Sequence, residues 1–239
     1  MTHRYFVETP ITGDRARLSG PEAHHLSGVM RVKVGEEVTL FDDGGAEFLC
    51  RVEQLSKHEV QLAVLSRLEI NREAARDVTL FCALPRGDRQ KRLIEQSVEL
   101  GVRRFVPLRT KRAVVQPDAD VCERLRRGVL EASKQCRRNR LMEVSEACTA
   151  PPPEELLPAG ALKLIAHPGS NLSPSAAARA ANISPTTPIA LLVGPEGGFS
   201  DEEAAAALAA GWQPVDLGPR ILRIETAAVA LTAWAVGEW

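Results

Sequence analysis

The sequence predicts an α/β protein in two parts, a small β-barrel domain over residues 1–72 and a larger parallel-sheet domain over residues 73–239. Two patterns carry this reading. The first part holds short strand-like segments set apart by turn residues. In the second, continuous apolar strands alternate with helical segments, the pattern of a parallel sheet covered on both faces. Between them, from Ile70 to Asp77, lies a polar, charged segment without apolar periodicity, and the domain boundary is placed there.

In the first part, Arg4 to Val7, Glu37 to Phe41, Glu47 to Val52 and Glu59 to Val64 read as strands. Asp42-Asp43-Gly44-Gly45 supplies the hairpin turn between two of them. One short helix is expected where Ser19 offers an N-cap and Pro21 a first turn, ending before Gly28. In the second part, Val78 to Leu84, Arg104 to Leu108, Leu162 to Ala166, Ile189 to Val193 and Val215 to Leu217 read as strands. Helices are expected from Asp88 to Leu100, stopped by Gly101, from Asp120 to Asn139, from Ser200 to Ala210 and from Glu225 to Val236. Asp201, Glu202 and Glu203 place negative charge in a first turn, where it suits the helix dipole. Trp234 and Trp239 are expected to pack in a core or a dimer interface.

Apolar residues make up 44% and charged residues 26%, which excludes a disordered or fibrous chain. The start lacks a signal-peptide core, and the longest apolar run, Ala227 to Val236, is shorter than the roughly 20 residues a bilayer requires. A cytoplasmic protein is expected. The five cysteines are scattered without a C-x-x-C pair, so no disulfide framework and no metal site are expected. Net charge is only −1, yet Arg86 to Arg140 holds 16 Lys and Arg against 7 Asp and Glu. Such a stretch suits phosphate neutralisation, although a solvated helix face has the same composition.

The richest chemistry lies in Leu191-Leu192-Val193-Gly194-Pro195-Glu196-Gly197-Gly198-Phe199-Ser200, a buried strand entering a Gly/Pro turn and then a helix. Its glycines let a ligand approach the backbone, and a side chain at Gly197 is expected to crowd it. The spacing matches neither the dinucleotide fingerprint nor the P-loop. Leu217-Gly218-Pro219-Arg220-Ile221-Leu222-Arg223 and Ala166-His167-Pro168-Gly169-Ser170 also follow strands. Ligands in open α/β sheets bind beyond strand carboxyl ends, so the three loops form one candidate pocket.

These two longer motifs, with Glu225-Thr226-Ala227, Arg4-Tyr5-Phe6, His24-His25-Leu26, Glu99-Leu100-Gly101-Val102 and Gln135-Cys136, resemble the 16S ribosomal RNA uridine-N3 methyltransferases of the SPOUT class (RsmE type). The resemblance spans nearly the whole chain. It implies a PUA-like β-barrel for RNA, an α/β domain with a deep trefoil knot, a homodimer, and S-adenosylmethionine as cofactor. The cofactor is then expected at His167 and Pro168, at Leu192, Gly194, Pro195, Glu196, Gly197 and Gly198, and at Leu217, Gly218, Arg220, Ile221 and Leu222. The chain departs from the family where lysines are common, with Arg86 and Ser97 in those places.

Methylation at N3 of uracil requires loss of the N3 proton, helped by a base or by cations that stabilise the anion. Arg4, Arg223 and Glu225 are the catalytic candidates, and Glu225 has the alternative roles of capping its helix or pairing with a nearby arginine such as Arg223. Arg4, Arg31, Arg86, Arg126, Arg127 and Arg138 are the candidates for RNA contact. A SPOUT enzyme with another RNA target and a non-catalytic ribosome-assembly protein are the competing readings.

Overall fold

The computed structural model describes residues 3–56 and 58–237. Trp239 lies outside them. The chain divides into two compact units, one of Met1–Glu73 with Ser133–Leu141 and one of Ala74–Ala132 with Met142–Trp239.

In the first unit, β1 (Arg4–Phe6), β2 (Arg15–Ser19), α1 (Gly20–His24), β3 (Glu37–Phe41), β4 (Ala46–Leu55) and β5 (Glu59–Glu69) follow in order. The strands form a sheet ordered β1-β3-β4-β5-β2. Only β1 with β3 is a parallel pair. Register shifts at Leu49/Cys50 and Val52/Gln54 mark bulges in the long β4–β5 ladder. A bulge bends a strand and strengthens its twist. Alternation along β4 sends Ala46, Phe48, Cys50 and Val52 into a core with Tyr5, Leu18, Leu40 and Leu62. The edges β1 and β2 do not pair with each other, so the expected barrel is an open half-barrel.

The turn at Asp42 forms as the sequence predicts. Asp42 Oδ1 accepts from Gly44 N (3.0 Å), Oδ2 accepts from Ile11 N (2.8 Å), and Asp43 and Gly45 have positive φ. The short helix is longer than expected, because a π-helical turn over His25–Val29 follows α1. Gly28 permits that wide turn: a Cβ there would stand 3.1 Å from the His24 ring.

The second unit contains β6 (Val78–Cys82), α2 (Arg89–Glu99), β7 (Arg104–Arg109), α3 (Ala119–Cys136, whose last residues from Ser133 belong to the first unit), β8 (Glu143–Val144) and β9 (Cys148–Thr149). β10 (Leu162–Ala166), α4 (Pro174–Ala180), β11 (Ile189–Val193), α5 (Asp201–Ala209), β12 (Gln213–Val215) and α6 (Ile224–Val236) complete it. The parallel sheet runs β12-β10-β11-β6-β7-β8, with β9 on β7. Every residue of β6 and β11 is buried, as expected of central strands covered on both faces. Trp212 and Phe81 meet edge to face at 6.0 Å in its core. After β12 at the edge of the sheet, the chain returns so that α6 packs on β6, β11 and α2. No helix among the described residues is long and apolar enough to cross a membrane.

Candidate active site

The carboxyl ends of three adjacent strands converge on one cavity of about 390 Å³. Ala166 of β10, Val193 of β11 and Val215 of β12 form its floor. Its walls are the loops at His167 and Pro168, at Gly194, Pro195, Glu196, Gly197 and Gly198, and at Leu217, Gly218, Arg220, Ile221 and Leu222. All lie in the second unit. The volume falls within the range of small-molecule pockets, roughly 300–1,000 Å³.

Each loop is held by identifiable bonds. Gly198 N donates to Pro195 O at 2.8 Å, closing the turn after β11. Phe199 then tucks into the core beneath it. A Cβ on Gly194 would lie 2.9 Å from that ring, so residue 194 has no room for a side chain. The crowding expected at Gly197 is milder, since a Cβ there would meet Arg112 Cβ at 3.4 Å. Gly198 (φ +69°) and Gly218 (φ +110°) are different again: a Cβ on either meets nothing within 4 Å. At both, the backbone faces open space that a ligand can approach. Ser200 ends the loop with a capping box, accepting from Glu203 N (3.2 Å) while Glu203 Oε2 accepts from Ser200 N (2.8 Å).

Charged residues that the sequence reading did not single out brace the loops. Arg112 Nη1 donates to Gly197 O (3.1 Å) and Phe199 O (3.0 Å), holding the loop from outside. Arg89 stands between two carboxylates, 3.3 Å from Glu196 and 3.6 Å from Glu225. Asp216 accepts from Gly169 N (2.9 Å) and Gly218 N (2.8 Å). Asp216-Leu217-Gly218 has the spacing of an Asx turn, the one local signal that marked it. Nothing local marks Arg89 and Arg112, whose partners are distant in sequence.

The structure corrects several expectations. Leu192 does not line the cavity; its side chain belongs to the sheet core with Phe81 and Ile165. Glu225 is not a lining residue either, and its pairing is with Arg89 rather than Arg223. Arg223, at the N-cap of α6, is not a lining residue, and its exposed side chain has no partner among the described residues. Arg4 sits in the first unit, only 8% exposed, bonded to Glu47 (2.7 Å), Asn139 Oδ1 (2.9 Å) and Arg138 O (3.1 Å), and stacked 4.6 Å above the Phe41 ring. Burial lowers its pKa, against which Glu47 acts. Arg138 is 3% exposed and clasped by Glu73. Neither guanidinium presents itself to a phosphate, because a buried cation is held by its carboxylate partner. Arg31, Arg86 and Arg127 are exposed without partners among the described residues, whereas Arg126 bonds Val144 O and Glu146. Ser97 is buried and donates to Leu93 O (2.7 Å), so a lysine in its place would point into the core.

Among the described residues no group of three His, Cys, Asp or Glu gathers to hold a metal.

A parallel sheet with a glycine-walled pocket at its strand ends, in a chain that also folds a PUA-like half-barrel, defines the class of RNA methyltransferases. Residues 72–236 match the RNA methyltransferase domain and residues 18–65 the RNA methyltransferase PUA domain. The chain belongs to the family of ribosomal RNA small subunit methyltransferase E, the RsmE-type enzymes. It is 35% identical to the Mycobacterium bovis enzyme of that name over 98% of this chain and 90% of that one. It is 29% identical to the Bacillus subtilis enzyme over 94% and 92%. The crystal structure of the Neisseria gonorrhoeae enzyme bound to S-adenosyl methionine superposes with a TM-score of 0.88, at 30% identity, covering 100% of this chain and 98% of that one.

Proposed function

We propose that this chain transfers a methyl group from S-adenosylmethionine to N3 of a uridine in 16S ribosomal RNA. The observation that carries the reading is the strand-end cavity, whose glycine backbone at Gly198 and Gly218 leaves room for a ligand. Family membership supports it, as does the cofactor seen with the Neisseria gonorrhoeae relative.

The lining fits that cofactor. Leu217, Ile221, Leu222 and the backbone around Gly194 to Gly198 offer apolar surface and amides to an adenosine, and Glu196 and Asp201 offer carboxylates to a cation. When bound, S-adenosylmethionine supplies an electrophilic methyl on a sulfonium. The chain's contribution is to hold that methyl in line with N3, through proximity and orientation. Arg223 is the proposed catalytic residue: its unpaired guanidinium at the α6 N-terminus is available to stabilise the uracil anion as the N3 proton leaves. Glu225 serves instead to hold Arg89 against Glu196.

RNA contact is proposed for Arg31, Arg86 and Arg127, whose side chains are exposed and unpaired, and for Arg126, which precedes Arg127 on α3. Residues 1–72 and 73–239 are proposed as the RNA-binding and catalytic domains. A trefoil knot in the second unit is part of the proposal and rests on family membership. A homodimer and a cytoplasmic site of action complete it, since ribosome assembly is where such an RNA is met. Ile221, 88% exposed on the rim, is suited to cover by a second copy or by RNA.

The test is transfer of labelled methyl from S-adenosylmethionine to small subunits from cells lacking the activity, followed by nucleoside analysis. Label in 3-methyluridine is the expected result. Label in another nucleoside overturns the target, and no label despite cofactor binding favours an assembly factor.

A further inference from the structure

β10 and β12 are neighbours, and their pairing ends where His167 N donates to Val215 O at 3.0 Å. Beyond that point the two chains diverge into loops that form one wall of the cavity. Asp216 stands at the divergence. Its Oδ2 accepts from Gly169 N in one loop (2.9 Å) and its Oδ1 from Gly218 N in the other (2.8 Å). Its own amide donates to Leu172 O at 2.8 Å, a second tie to the first loop. Both donors are glycines at positive φ, +84° and +110°, a conformation other residues rarely adopt. A carboxylate is the side chain of this size that accepts on both oxygens.

We propose that Asp216 is a positioning residue for the cofactor, fixing the separation of the His167–Pro168 and Leu217–Leu222 loops before the ligand arrives. The inference rests on the reading of this cavity as the S-adenosylmethionine site. Loops held in their bound form spare the ligand the entropic cost of ordering them. Asp216 need not touch the reacting atoms, so its effect falls on cofactor binding rather than on methyl transfer.

Asp216→Asn is the discriminating change. It keeps the shape but turns one acceptor into a donor, so one of the two glycine amides faces an NH2. Loss of one charge-assisted bond is expected to weaken cofactor binding roughly tenfold. The KM for S-adenosylmethionine should rise in parallel, while kcat at saturating cofactor stays within about twofold of the wild type. A merely structural residue would instead lower the melting temperature or the active fraction and leave the KM alone. Unchanged KM, or a fall in kcat without a rise in KM, overturns the proposal. The wild-type protein, titrated alongside, separates the two ideas: failure to bind S-adenosylmethionine there sinks the site reading and this inference together, whereas wild-type binding with an unaffected variant sinks this inference alone. Should the variant not fold, amide exchange in the wild type decides. Gly169 and Gly218 should both be protected without cofactor, and free exchange at both rejects the clamp.

Discussion

At the scale of single residues, available space and available partners decide more than residue type does. Gly194 and Gly197 look alike in the sequence, yet a methyl group collides with Phe199 at the first and makes ordinary contact at the second. Gly194→Val is therefore expected to abolish measurable S-adenosylmethionine binding by calorimetry, and Gly197→Ala to leave it within a few-fold. The arginines separate in the same way. Arg138→Ala leaves Glu73 without its partner in a buried setting and should cost roughly 3 kcal/mol in urea unfolding, with no change in the salt dependence of RNA binding. Arg127→Ala should do the reverse, lowering the salt slope by about 1 with no loss of stability. Burial also controls the thiols, pushing Cys50 up to about 12 from an ordinary 9.0. An acid whose folded pKa is raised favours folding fully below its unfolded value, and that contribution is lost as pH rises through the window from about 9 to about 12. Cys50→Ala should flatten that alkaline decline in a pH series of unfolding curves.

At the scale of elements, the legible parts are those whose pattern is long and regular. Leu162 to Ala166 and Ile189 to Val193 read as strands because each is a continuous apolar run, and the structure has both with the same ends. Residues Arg15–Ser19 form an edge strand with one buried side chain, Leu18, and two arginines, so they give no alternation to read. Pro174–Ala180 is a helix of mostly alanine, whose small apolar side chains mark no face. In the candidate site the loops were legible, because glycine and proline punctuate strand ends. The charged clamps were not, because Arg89 and Arg112 meet carboxylates and carbonyls that only the fold brings near. The capping box on α5 was half visible as an acidic first turn, and its N-cap serine is buried at the mouth of the cavity loop. Ser200→Ala should cost about 1 kcal/mol in denaturant unfolding.

At the scale of the whole molecule, the first unit is not one stretch of sequence. Ser133–Leu141 joins it from sixty positions downstream of Glu73. The bonds explain why. Asn139 accepts from Arg4 (2.9 Å) and donates to Ile70 O (3.1 Å) and Gly45 O (3.3 Å), while Leu141 N donates to Asp43 (2.6 Å). Lys134 pairs with Glu22 at 2.9 Å, and Arg140 reaches Gly44 O at 3.2 Å. Composition and periodicity place a boundary near residue 73 but carry no trace of this returning segment, since it is polar and its partners, among them Arg4, Glu22, Asp43 and backbone carbonyls, are distant in sequence. Residues 1–73 alone thus leave Arg4 buried with part of its hydrogen bonding unmet, and a unit of that size has little stability to spare. The isolated segment is expected to show no cooperative unfolding transition by circular dichroism in urea, and fusion of residues 133–141 through a flexible linker should restore one. In the full chain, Asn139→Ala removes three bonds at a 3% exposed position and should destabilise by roughly 2–3 kcal/mol. A cooperative transition in residues 1–73 of the same midpoint as the fusion would mean that the half-barrel stands without its returning segment.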